Sequence, residues 1–484
     1  MTSARNIAVN TTVRTAALFA EKLLIFGISA VMARRYGSSA FGVYAFALSF
    51  VSFFRLLSDW GMNPIVTRRL SIAASDDERS KVFSSALTAR VLLAVLSALL
   101  AGGAFSLTHA PAFDKLAVWI ATLTIVDVVA DMLGSLLQAY LRQIWMGVIG
   151  FVARLVWAGI SIAAIFTGRS ILFLVFAMGV CSILQAAGLL FAGRRLLHFD
   201  LELNAGILKG ILHDSWPLAL QAIMSTVYLR VDQLLLYALV GAQTVGIYAA
   251  ATKVAEPWGL AAGTLISASF PLLCKTYVSD PDRFQRVSRS LYRYLFIPLM
   301  LLVAYTTLFA APLLRLIFGA GFGEGTGALV ALIWADLFLF ANMVSQYVLV
   351  AAGAQRITFF LSAAGATSNV ALNLILIPRY GATGAGVASL VSYAMYQLLQ
   401  SILPQTRKHS TPVWEEMFRP VLACGAVVLV LHYVRLSMGL QLVLIPVGYV
   451  VALLVTGGLR SDDWQKFRAC LPRSGENTNG TNAA

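Results

Sequence analysis

Charge is what this chain has least of. Asp, Glu, Lys and Arg make up 12% of its 484 residues, against 59% hydrophobic. Long polar stretches are missing too, which leaves no room for a water-soluble domain. A large extramembrane loop and a clustered acid/base pair are both lacking, and a membrane glycosyltransferase, ligase or polymerase would be expected to carry one of them. Cysteine is scarce: Cys181, Cys274, Cys424 and Cys470 are scattered and no CxxC pair occurs, so no disulfide framework is expected. No short apolar segment ends in an A-x-A-like site before residue 40, which argues against a cleavable signal. Nothing in the pattern calls for a cofactor or a metal.

What the chain does have is apolar length. Fourteen stretches are long enough to cross a bilayer as helices, which takes ~20 residues each. They run over 14–34, 40–58, 84–107, 115–139, 147–167, 171–193, 214–240, 246–272, 290–318, 325–350, 357–377, 383–403, 417–437 and 440–458. The expected fold is therefore all-α, a polytopic membrane bundle of about fourteen helices.

The net charge of +14 invites a nucleic-acid reading, and its distribution argues against one. With the N-terminus in the cytoplasm and span-end residues counted to their nearer side, inner loops and tails hold 22 Lys/Arg and outer loops hold 6. That asymmetry is the positive-inside pattern of a membrane protein. Clusters such as Arg68, Arg69, Arg79, Lys81 and Arg283, Arg286, Arg289, Arg293 read first as topological anchors. An even number of spans returns the C-terminus to the cytoplasm. Asn10-Thr11-Thr12 and Asn479-Gly480-Thr481 match the glycosylation triplet but fall on the expected inner side, and residues 471–484 read as a disordered tail.

The chain also repeats itself. Gly37-Ser-Ser-Ala-Phe-Gly42-Val-Tyr44-Ala45 matches Gly241-Ala-Gln-Thr-Val-Gly246-Ile-Tyr248-Ala249, 204 residues later. Both copies join an odd span to the next even one, and six spans separate them. An even offset preserves orientation, so the halves should be parallel repeats about an axis along the membrane normal. This divides the chain into a lobe over 1–204, a lobe over 205–403, two appended helices over 404–460 and a tail over 461–484.

About fourteen charged side chains lie inside the spans. At ~2.5–3.5 kcal/mol each on insertion scales they could not all face lipid. They must pair, snorkel or line a wet cavity. Span 1 carries Arg14, Glu21 and Lys22, spaced to share a helix face. Arg55 precedes Asp59 by one turn and can pair with it. Asp127 and Asp131 are also one turn apart, and two such carboxylates should share a cation or a proton. Arg230 and Asp232 are two apart, so each seeks its own partner. Lys253 and Glu256 lie beside Pro257, which interrupts the helix ladder. Asp336 falls in span 10, and Asn369 and Asn373 share a face of span 11. Arg90 and Arg315, near span ends, are expected to snorkel. The functional reading is a cavity between the lobes. Arg14, Lys22, Arg55, Lys253 and Arg230 would hold an anionic head group there, while Asp127, Asp131, Glu256 and Asp232 would hold a coupling H⁺ or Na⁺.

These features resemble a family. Arg35-Tyr36-Gly37 through Tyr44, Asp59-Trp60-Gly61, Val245-Gly246-Ile247-Tyr248 with Lys253, and Asn373-Leu-Ile-Leu-Ile-Pro378-Arg-Tyr-Gly381-Ala-Thr-Gly384-Ala385 are similar to the MOP exporter superfamily, over roughly residues 1–410. Within it the likeness is to polysaccharide or O-antigen flippases of the Wzx type. The resemblance implies a MATE/MOP-like fold in the bacterial cytoplasmic membrane, with both termini in the cytoplasm. It implies flipping of an undecaprenyl-pyrophosphate-linked oligosaccharide for polysaccharide, O-antigen or lipopolysaccharide biosynthesis. The implied partners are that lipid-linked substrate, membrane lipids and other polysaccharide-assembly proteins, and no nucleic acid. The basic residues of spans 1, 2 and 8 resemble the cavity cations of related lipid II flippases. A multidrug or cation antiporter of the same fold is the alternative, and it would want an acidic cavity. A membrane polymerase or ligase is a further alternative that the short outer loops oppose.

Overall fold

A computed structural model describes residues 2–434 and 436–458, with side chains from residue 16 onward. Among these residues every regular element is helical. In chain order they are α1 (Thr2–Asp59), α2 (Met62–Ile72), α3 (Asp76–Ser106), α4 (Ala112–Ala121), α5 (Asp127–Ala139), α6 (Gln143–Phe166), α7 (Ile171–Arg194), α8 (Ala205–Leu239), α9 (Ala242–Ser279), α10 (Pro281–Phe318), α11 (Thr326–Ala351), α12 (Gln355–Ile402), α13 (Arg407–Tyr433) and α14 (Met438–Val455). The expected tail over 461–484 lies outside the described residues.

Eleven helical stretches among the described residues are long and apolar enough to cross a membrane. Thirteen of the fourteen expected spans map onto them, because two stretches hold two spans each. A straight 58-residue helix would be ~87 Å long, nearly three times the hydrocarbon core. α1 instead breaks at Gly37, and α12 breaks at Gly381. The span over 115–139 is α4 and α5 joined through a 3₁₀ turn at Thr122–Val126. α13 fills the thirteenth position and is not among the eleven; its charges, Arg407, Lys408, Glu415, Glu416 and Arg419, all lie in its first half. α2 is an extra short helix at the end opposite the Gly37 turn. α9 runs through Pro257 and Pro271 without a break, so the expected interruption at Pro257 is confined to one missing backbone donor.

Local sequence explains the helix starts. Ser75 caps α3 by accepting from the Glu78 N–H, and the Glu78 carboxylate reaches back to the Ala74 N–H. Asn204 caps α8 through the amides of Gly206 and Ile207. Asp280 caps α10, with Pro281 in its first turn. Outward-facing side chains such as Leu92, Leu96, Leu99 and Phe191 are exposed apolar groups suited to lipid.

The repeated glycine motif forms two turns of the same shape. Gly37 takes φ 77°, ψ 175° and Gly241 takes φ 105°, ψ 174°, a region open in practice only to glycine. The second glycine of each copy then packs against the other copy. A Cβ on Gly42 would lie 1.7 Å from the Ala242 carbonyl oxygen, and a Cβ on Gly246 would lie 1.9 Å from the Ser38 carbonyl oxygen. The two helices thus meet backbone to backbone, each using its own glycine for the same reciprocal contact. Phe41, Tyr44, Val245 and Tyr248 surround this crossing in one buried apolar core.

One intramembrane cation behaves differently from expectation. Arg90 does not snorkel: its side chain is 0% exposed and donates to Asp59 at 2.6 Å and to the Asn63 side-chain oxygen at 2.8 Å. Asp59 is therefore taken by Arg90 and not by Arg55, one turn away. A fully enclosed guanidinium has no water to fall back on, so it captures the nearest carboxylate. Arg90→Met should leave Asp59 unpaired at the end of α1 and destabilise the protein by ~3–5 kcal/mol. Thermal unfolding of the purified protein in detergent checks this, and an unchanged midpoint would show that the pair is dispensable.

Candidate functional site

A cavity of about 470 Å³ lies among α1, α8, α9, α11 and α12, within the size range of pockets that enclose small ligands. Three cations line it: Lys22 from α1, Arg230 from α8 and Lys253 from α9. Arg230 and Lys253 converge on one carboxylate, Glu256, at 3.2 and 3.6 Å. Lys22 has no ion-pair partner among the described residues. Two further acids line the cavity. Asp232 is sealed, taking the Tyr248 hydroxyl proton and the Gln233 amide N–H. Asp336 is 7% exposed, and its Oδ2 has no hydrogen-bond partner.

The structure places the other expected site residues elsewhere. Arg55 bridges Asp131 at 2.6 Å and Asp127 at 3.6 Å. The two carboxylates share a cation, and the three form a cluster within the first half of the chain, away from the cavity that holds Lys22. Arg154 completes the cluster, reaching Glu21 at 2.9 Å and Asp127 at 3.5 Å. Sequence reasoning passed over Arg154, although a lone arginine at the middle of an apolar span was signal enough. Adjacent residues of span 1 thus serve different clusters, Glu21 facing Arg154 and Lys22 facing the cavity. The Arg14 side chain lies outside the described residues.

The two halves touch on both sides of the cavity. At the glycine-turn end, Arg34 donates to the carbonyls of Leu316 and Ile317, the unpaired C-terminal acceptors of α10. There too Phe46 stacks on Tyr237 with centroids 3.7 Å apart, and the Tyr237 hydroxyl donates to Asp114. At the other end Arg69 of α2 pairs with Asp214 of α8 at 2.6 Å. The cavity is therefore bridged above and below.

A bundle of apolar helices enclosing a charged cavity that is bridged at both ends is the architecture of a multi-pass membrane protein with an internal polar site. Residues 7–277 match the family described as polysaccharide biosynthesis protein, and the chain belongs to that family. A capsular polysaccharide biosynthesis protein of Staphylococcus aureus, CapF, is 25% identical over 191 residues, which is 39% of this chain and 48% of that relative. The match thus spans about half the relative's length. Among solved structures, the lipid II flippase MurJ in an inward closed conformation superposes with a TM-score of 0.75 at 13% identity, covering 94% of this chain and 99% of that one. An inward-facing MATE-family multidrug resistance transporter of the MOP superfamily gives 0.59 at 14% identity, covering 84% and 99%. At these identities the likeness is one of fold.

Proposed function

We propose that this protein flips an undecaprenyl-pyrophosphate-linked oligosaccharide from the inner to the outer leaflet of a bacterial cytoplasmic membrane. The observation that carries the reading is Lys22, Arg230 and Lys253 lining one cavity, two of them converging on Glu256, in a member of a polysaccharide biosynthesis family. A pyrophosphate is a dianion or more, and guanidinium and ammonium groups suit it, the first as a planar fork and the second as a point charge. Glu256 keeps the cations in place while the site is empty. An arriving pyrophosphate competes for them, which frees Glu256 to take up H⁺ or Na⁺. The Asp127/Asp131 cluster, held by Arg55, and Asp232 are the other candidate stations for that ion.

In this mechanism the halves 1–204 and 205–403 rock about the cavity, with both termini in the cytoplasm. Parting of Arg69 from Asp214 admits the head group from the cytoplasmic leaflet. Parting of the Gly42/Gly246 crossing releases it outside. The isoprenoid tail stays in lipid throughout, and other polysaccharide-assembly proteins take the product.

The test is translocation in proteoliposomes. A fluorescent undecaprenyl-pyrophosphate-linked oligosaccharide should become accessible to a quencher in the opposite leaflet at a rate that depends on the protein. Movement of a lipophilic drug cation in the same vesicles, with no movement of the lipid-linked sugar, would replace this reading with the antiporter.

A further inference from the structure

The cavity wall built from α8, α11 and α12 carries no cation beyond Arg230 at its margin, and it is built for a different chemistry. Tyr228 and Tyr393 lie with ring centroids 4.3 Å apart at 33°. Tyr228 is fixed from behind: the Asn342 amide donates to its hydroxyl oxygen at 3.1 Å and to the Tyr393 carbonyl at 3.2 Å, while Gln397 donates to the Asn342 oxygen at 2.9 Å. With its oxygen already accepting, the Tyr228 hydroxyl has its proton to give. Beside it line up polar groups that nothing in the protein satisfies. Asp336 lines the cavity, is 7% exposed, and makes no side-chain hydrogen bond or ion pair among the described residues. Gln346 and Ser362 also line the cavity, with no side-chain hydrogen bond among the described residues.

An unpaired buried polar group is costly, because it has given up water and gained no partner. Several on one wall are costly unless a ligand supplies their partners. The partners required are defined by the groups themselves. The Asp336 carboxyl accepts O–H, the Gln346 amide and Ser362 hydroxyl both give and accept, the Tyr228 hydroxyl gives, and the Tyr228 ring offers an apolar surface. A pyranose ring offers that combination: hydroxyls around its rim and C–H bonds on its face. The geometry points to this wall as the subsite for the first sugar after the pyrophosphate, with Asp336, Gln346 and Ser362 meeting its hydroxyls and Tyr228 beside its face.

This inference rests on the flippase reading, and its test separates the two. Binding to the purified protein in nanodiscs is measured for two probes, undecaprenyl pyrophosphate and undecaprenyl-pyrophosphoryl N-acetylglucosamine. The wild type should bind the sugar-bearing probe at least ~10-fold more tightly, the worth of one or two satisfied hydrogen bonds. In Asp336→Asn and Gln346→Ala the ratio of the two dissociation constants should collapse toward one. Gln346→Ala should leave the thermal midpoint of the empty protein unchanged, because the amide makes no side-chain hydrogen bond among the described residues. A wild-type ratio near one overturns the subsite and leaves the flippase reading standing. Equal weakening of both probes by Asp336→Asn, or a loss that tracks Na⁺ or pH instead of the sugar, makes Asp336 an ion station and also overturns it. Failure to bind either probe overturns both readings.

Discussion

Gly42→Ala or Gly246→Ala should each abolish most transport while the protein still reaches the membrane. Each added Cβ would sit 1.7 or 1.9 Å from a carbonyl oxygen of the opposite turn, where an ordinary C···O contact needs ~3.3 Å. The neighbour is backbone and cannot rotate aside, so the helices must separate by more than an ångström at the crossing. Overpacking of this kind costs ~1–3 kcal/mol, and here the upper end applies, equivalent to a population change approaching ~150-fold. The contact lies between the two halves at one end of the cavity, so the penalty falls on the state in which that end is closed. The double variant should cost little more than either single one, since the first methyl already parts the helices that the second would strike. Disulfide formation between cysteines placed on the two turns reports closure directly. It should fall sharply in both variants in an otherwise cysteine-free chain. Wild-type translocation with an intact crosslink would show that the crossing is not a gate.

The Gly-x4-Gly-[Val/Ile]-Tyr-Ala repeat was legible in the sequence as two turns placed alike in two halves, and Gly37 and Gly241 do adopt matching backbone angles. That the two turns meet was not legible. Spacing along a chain says which residues share a helix face, and nothing about which turns a bundle brings together. The same limit explains Asp59. One-turn spacing made Arg55 its natural partner, but Arg90, 31 residues away, is wholly enclosed and has the stronger need. The spans themselves were easy, because lipid demands long apolar helices. Arg230 and Asp232 were expected to part company, and they do so, toward Glu256 and Tyr248. The tyrosine wall was invisible at the sequence level, since Tyr228, Tyr393 and Tyr396 in apolar helices look like ordinary core until the unpaired groups around them are seen.

The cavity cations give the second large effect. Lys253→Ala removes one charge-assisted contact to phosphate, worth ~1.5–3 kcal/mol, or roughly 10- to 150-fold in affinity. Lys22→Ala should act similarly, and with less side effect, because Lys22 holds no ion pair in the empty site. Arg230→Ala loses a fork that Arg230→Lys restores only in charge, so the lysine variant should recover part of the activity if charge dominates and little if geometry does. Combining all three alanines should eliminate binding altogether. The remaining Glu256 would then be an unpaired acid in the membrane interior, repelling the very ligand the site is meant to hold. Adding Glu256→Gln to the triple variant separates the two causes. If repulsion by Glu256 were the whole effect, the quadruple variant would regain transport. If the phosphate needs the cations, it stays inactive although the cavity is less negative. Surface polysaccharide in a flippase-deleted cell, normalised to membrane protein level, reads the outcome. Full polysaccharide from the triple variant at normal level would mean that Lys22, Arg230 and Lys253 only neutralise Glu256, and that the pyrophosphate is held elsewhere.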